Sequence, residues 1–328
     1  MKQSINKLTR NKWFRRFAKW GFILLATLSL FEVVYRYQWV DFYKSELTGL
    51  NPNIDQAKPN VLVFGDSFSA QRGSYVHHLR DSLTQYNIVN CAIPGTAARQ
   101  AAYVCKSRIN EFAPVKVIYQ IYLGNDLLDE SPPINWSELS FTRNCFWSLS
   151  KRFRGIGYLN YKFGQTSTTL NSDFDESFQS KNMEGFAVNK YAPRCKMLLE
   201  ANASYLNQTY HLQDELRSAY QSNLAYIKII QASLPDSVDF HVLVIPHPIS
   251  VNEKYWENFQ ELGAVFKPAN TYPILTDLNE HFSGVLDASP CLMEAEKSNI
   301  VVYFNNDDHL NLEGHRIMAK WILDQIEW

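Results

Sequence analysis

The sequence has almost no net charge. Its 32 lysines and arginines against 33 aspartates and glutamates leave −1 over 328 residues. Nothing overall therefore points to nucleic acid, whose phosphates need a positive face. Metal-binding cysteine pairs are also missing. The five cysteines, Cys91, Cys105, Cys145, Cys195 and Cys291, form no CxxC or CxxH spacing, so a zinc site is not expected. An odd count does not describe a disulfide framework. Cys145 and Cys195 are the expected pair if their region lies outside the cytoplasm, and Cys91 reads as a buried strand residue. No internal repeat and no low-complexity tract is present. The first 19 residues lack any acid, and no cysteine lies near them for lipid attachment.

What is there is an ordinary globular mixture, 46% hydrophobic and 20% charged. The length suits one large domain, or one domain with a sizeable insertion. Aromatics are abundant at 14%, more often a sign of an aromatic core than of a carbohydrate surface. The basic start carries Lys2, Lys7, Arg10, Lys12, Arg15, Arg16 and Lys19. An apolar run follows over 20–31, and Val33, Val34 and Tyr35 extend it past Glu32. That is near the lower length limit of a membrane span. A cleaved signal peptide needs small residues at −3 and −1, and "ATL" and "SLF" both end on a large one. The expectation is a retained single-pass anchor over 1–40, basic flank in the cytoplasm, later residues outside and periplasmic. Polar residues 41–60, with Pro52 and Pro59, read as a linker.

From residue 61 onward, short apolar runs alternate with helical patterns. Strands are expected at 61–65, 87–95, 115–126, 238–246 and 299–304. Helices are expected at 74–86, 96–113 with Thr96 as N-cap, 211–234, and 311–328 with Asn311 as cap. Alternation of this kind implies an α/β fold, a three-layer α/β/α sandwich around a five-stranded parallel sheet. The domain runs over 61–328. Residues 130–206 break the rhythm and read as an inserted subdomain or lid. They carry Trp136, Phe141, Phe146, Trp147, Phe153, Tyr158, Tyr161 and Phe163, as a substrate platform or as the insertion's own small core.

In such sheets, functional groups gather at the carboxyl ends of the strands. There the expected strands end in Gly65-Asp66-Ser67, Pro94-Gly95, Gly124-Asn125-Asp126 and "NNDDHLN" (305–311). These are the parts of serine-based acyl transfer. Ser67 is the candidate nucleophile, His309 the base, and a nearby aspartate orients the imidazole. The N–H groups of Ser67 and Gly95 with the Asn125 amide are the candidate oxyanion hole. Asp66 is expected to tie down the nucleophile turn, and Asp126 to support the site. His247 and His315 are read as structural, His315 on the surface or in the packing of the last helix.

This set resembles the SGNH (GDSL-like) hydrolase superfamily over 60–128 and 238–328. "GND", "DDHLN" and Gly314-His315 look like its membrane-anchored bacterial members. The resemblance implies a flavodoxin-like fold, no cofactor and no metal. It also implies an esterase for O-acyl groups, O-acetyl foremost, on cell-surface glycans, with exopolysaccharide or capsule assembly proteins as partners. Two positions depart from the family pattern. Gly124 directly precedes Asn125, where the family usually has Gly-x-Asn-Asp. Asn306, not Asp, stands three before His309. Asp307 is therefore the expected triad acid, with Asp308 the alternative. Three other readings stay open. An O-acetyltransferase would use the same triad. A metal-dependent phosphoesterase would draw ligands from Asp66, Asn125, Asp126, Asp307, His309 and His315, though no early Asp-x-His is present. An inactive glycan-binding or assembly protein would not need Ser67.

Overall fold

The computed structural model describes residues 2–51, 53–55, 57–130, 141–164, 176–269 and 271–328. Val61, Leu62, Val63 and Phe64 are apolar at successive positions. Successive side chains of a strand face opposite sides, so such a run has no wettable face. It forms β1 (Asn60–Phe64) inside a five-stranded parallel sheet with β2 (Asn87–Asn90), β3 (Lys116–Tyr122), β4 (Asp239–Ile245) and β5 (Val285–Asp287). The order is β2-β1-β3-β4-β5. Val61 and Val63 enter one core, Leu62 and Phe64 the other. All four are fully buried. Each contributes about 1.5–3 kcal/mol, against about 0.5–1.5 for a typical hydrogen bond. Packing thus fixes where β1 ends, and with it the residues that follow.

Helices cover both faces, completing the three layers. Tyr75–Ser82, Ser289–Lys297 and Leu312–Gln325 lie on the Val61 side; Ala98–Phe112, Asp214–Ala232 and Pro273–His281 lie on the Leu62 side. Asn311 caps the last helix, its side chain accepting from Gly314 N. Thr96 does not cap the Ala98–Phe112 helix. Ala97 holds that position, and the Thr96 hydroxyl donates instead to Ile93 O.

One expected strand is displaced. β5 is Val285–Asp287, paired with β4 through Val242↔Val285. Residues 299–304 lie outside the sheet, with a bridge between Tyr303 and Leu310. Their backbone is satisfied locally: Val302 N donates to Glu296 Oε1 and Phe304 N to His309 O. An apolar run of this length looks the same in a sheet or in a buried loop.

The N-terminal helix runs Lys2–Arg36, and its Trp13–Arg36 stretch is long and apolar enough to cross a membrane. Its end is partly buried against the domain. Glu32 is buried, and its carboxylate accepts from Arg36 Nε, Arg154 N and Gly155 N. The following segment is no free linker. Asp41 pairs with buried Arg108, Tyr43 is buried with its hydroxyl against Tyr35, and Lys44–Leu50 is helical.

Residues 130–206 divide in two. Helices Phe141–Arg152 and Arg154–Gly164 lie at the end of the first helix, where Tyr158 packs on Phe31, Tyr35, Phe42 and Tyr43. Tyr191, Cys195, Leu198, Leu199 and Tyr205 belong to the main core. Trp136 and the side chains of Trp147 and Phe163 lie outside the described residues. Cys145 is exposed and Cys195 buried, and all five cysteines are free, so the expected Cys145–Cys195 pair does not form.

Candidate active site

β1 ends at Phe64, and the chain turns at once. Asp66 Oδ1 accepts from Phe68 N at 3.0 Å, capping the short helix Ser67–Ala70. From β3, Gln120 Oε1 accepts from Asp66 N at 3.1 Å and from Ser69 Oγ at 3.0 Å. The turn is thereby pinned on both sides of Ser67.

Ser67 Oγ lies 2.9 Å from His309 Nε2, across 242 residues of chain. His309 Nδ1 lies 2.6 Å from Asp307 Oδ1, which also accepts from His309 N at 3.0 Å. A carboxylate only accepts, so Nδ1 carries the proton and neutral Nε2 offers its lone pair to the hydroxyl. Phe68 stacks on the imidazole at 4.7 Å. Asp308 is also present: its Oδ1 is 3.4 Å from Nδ1. Its side chain is turned inward by Tyr122, whose hydroxyl donates to Asp308 Oδ2 at 2.9 Å. Both candidate acids therefore face His309, with Asp307 in direct contact. Burial pulls the imidazole pKa down, but Asp307 and Asp308 override it and hold it well above the usual range. Burial would raise the Asp308 carboxyl, yet His309 and Tyr122 hold it well below its ordinary value.

Gly95 sits at φ +68°, in the region that favours glycine. Neither Gly95 N nor Ser67 N donates to an acceptor among the described residues. Two backbone donors are thus free at the sheet edge. Asn125 follows β3; its Nδ2 donates to Asp129 Oδ2 at 2.6 Å, leaving its second N–H. Gly124 has a packing reason: a Cβ there would collide with the Tyr122 ring.

Asp126 is buried, and its Oδ2 accepts from Tyr122 N at 2.9 Å. Asp126 Oδ1 and Asp66 Oδ2 have no donor from elsewhere. Burial raises both carboxyls, and the Asp66 charge raises Asp126 further. Asp66 and Asp126 thus place two buried, raised carboxyls just after β1 and β3.

His247 is buried, its Nδ1 accepting from Ile249 N, and burial pulls it down to about 4. His315 is fully buried rather than on the helix surface. It bonds Gln71 Oε1 at 3.1 Å, and burial pulls it down to about 3. Asp307, Asp308 and His309 bring one donor atom each within 4.8 Å of one another. His309 and Asp307 are spent on the line from Ser67, and Asp308 Oδ2 accepts from the Tyr122 hydroxyl. The remaining residues named as metal ligands are engaged elsewhere: Asp66 with Phe68 N, Asn125 with Asp129, Asp126 with Tyr122 N and His315 with Gln71.

The sequence did not reveal Gln120, Tyr122, Phe68, Asp129 or Arg194. Only Phe68, beside Ser67, left a local signal.

No family model and no curated protein matches the sequence. Solved structures do. The chain is similar to acetyl xylan esterase AlAXEase at 12% identity, covering 82% of this chain and 100% of that one, with a TM-score of 0.39. It is similar to a putative lipolytic protein of the G-D-S-L family from Desulfitobacterium hafniense DCB-2 at 11%, covering 82% and 100%, with 0.39. A catalytic mutant of Axe2, an acetylxylan esterase from Geobacillus stearothermophilus, matches at 14%, covering 82% and 94%, with 0.38.

Proposed function

We propose that the protein is a serine esterase of the SGNH type. It hydrolyses O-acyl esters, acetyl foremost, on cell-surface glycans, with Ser67 as nucleophile, His309 as base and Asp307 as triad acid. The observation that carries this is the unbroken line Ser67–His309–Asp307, at 2.9 and 2.6 Å, at the carboxyl edge of the sheet. His309 takes the Ser67 proton as Oγ attacks the ester carbonyl, and Asp307 stabilises the imidazolium that forms. The oxyanion is received by Ser67 N, Gly95 N and Asn125 Nδ2. His309 then protonates the leaving alcohol, and water releases the acyl group by the reverse path. The same acyl-serine passes to a sugar hydroxyl in a transferase. Hydrolysis is favoured by His309, whose side chain remains one-third exposed, so water reaches the acyl-enzyme.

The Lys2–Arg36 helix anchors this domain in the membrane, basic flank inside and the site outside. A fluorophosphonate probe is expected to label Ser67, located by peptide mapping. Aryl acetates are expected to be cleaved without added metal. Ser67→Ala and His309→Ala should each remove several orders of magnitude in rate. Activity kept within about tenfold in both variants rejects the mechanism, and loss to a chelator with no probe labelling points to metal chemistry.

A further inference from the structure

The oxyanion donor Asn125 is held by a chain of contacts that leads into the 130–206 segment. An amide has a donor end and an acceptor end, and only the donor end suits an oxyanion. Asp129 settles which end is presented. It lies one turn beyond Asn125, its N–H donates to Asn125 O at 2.8 Å, and its Oδ2 accepts from Asn125 Nδ2 at 2.6 Å. A carboxylate in that place brings a problem: its negative charge lies beside the atom where negative charge develops. Arg194 answers it. From helix Pro193–Ala201, its Nη2 donates to Asp129 Oδ1 at 2.7 Å and Oδ2 at 2.9 Å. Its backbone is fixed on the catalytic loop, since Ala192 N donates to Asn306 O at 2.9 Å and the Cys195 thiol lies against Asp308.

We propose that Arg194 is a positioning residue of the esterase. It cancels the charge of Asp129 so that Asp129 orients the Asn125 amide without repelling the oxyanion. This gives the 192–195 segment a part in the chemistry that neither the motifs nor the fold assign to it. The inference rests on the serine-esterase reading above.

The test is steady-state hydrolysis of an aryl acetate by the full chain. Arg194→Ala is expected to lower kcat about 10–100-fold, less than the 10²–10³ typical of losing an oxyanion donor outright, with KM within about threefold. Arg194→Lys keeps the charge and should recover most of the loss. The deciding variant is the double Arg194→Ala/Asp129→Asn. It removes the uncompensated charge while keeping an oxygen for Asn125, so its kcat should exceed that of Arg194→Ala alone. A kcat within twofold of wild type in Arg194→Ala overturns the proposal. So does a rise in KM at unchanged kcat, which makes Arg194 a substrate contact, or a double variant no better than the single. Fluorophosphonate labelling of wild-type Ser67 is the control: if it fails, the esterase reading has failed; if it succeeds while the variants behave as in the overturning outcomes, only this inference has.

Discussion

At the residue scale, the site holds more carboxylate than a triad needs, and this sets its pH behaviour. His309 acts as a base only when neutral, and Asp307 and Asp308 together raise its pKa. Activity is therefore lost as pH falls through a value above the ordinary 6.5. The acid limb of kcat/KM is expected above 6.5, and Asp308→Asn should move it down while leaving the nucleophile labelled. Asp307→Asn should instead lower kcat by up to about 10⁴-fold. Equal effects from the two substitutions would contradict the roles assigned. The Asp66–Asp126 pair has a different signature. Its carboxyls are raised in the folded state, so the folded chain binds more protons than the unfolded one. Its contribution is whole below about pH 4 and lost as pH rises through the raised values. Asp126→Asn removes one raised carboxyl, and its melting temperature should fall less between pH 5 and 8 than that of wild type. Parallel curves would contradict a raised Asp126 carboxyl. Ser67, Gly95, Asn125 and His309 were legible in the sequence because each sits in a short turn after an apolar run. Tyr122 and Gln120 were not: they read as ordinary strand residues, and their partners lie 186 and 54 residues away.

At the element scale, the catalytic loop 305–311 is supported from the 130–206 segment, and Asn306 is the join. It is fully buried; its Oδ1 accepts from Ala187 N, its Nδ2 donates to Glu184 O and Gly185 O, and its carbonyl accepts from Ala192 N. An aspartate at this position would offer no N–H to those two carbonyls, which explains why Asn stands three before His309. Asn306→Ala orphans buried polar groups at about 1–3 kcal/mol. The expected result is a lower melting temperature together with faster amide exchange over 184–192. Unchanged exchange there would show that the two segments are independent. The parallel five-stranded sheet was legible from alternating runs, but β5 was not. Val285–Asp287 is three residues long, too short to show a period, while 299–304 carries the stronger apolar signal and pairs with nothing in the sheet.

At the scale of the whole molecule, the first helix and the domain form one packed body through Glu32, Tyr35, Asp41 and Tyr43. Cys145, the one exposed cysteine, reports which side of a membrane the domain occupies. In spheroplasts, an impermeant maleimide is expected to label Cys145 without permeabilisation, in protein that resists carbonate extraction. Labelling only after lysis would reverse the orientation. The apolar run was visible in the sequence, but the seat of its end was not, because Glu32 looked like a charge reaching for interfacial water. Its carboxylate instead receives the first two N–H groups of the Arg154–Gly164 helix. A domain on a loose tether sweeps a hemisphere of the surface around it. With the Trp13–Arg36 stretch in a bilayer, this packing would make a post instead of a tether, holding Ser67 at a set height and a set tilt, so that only esters presented in that one layer would come within reach.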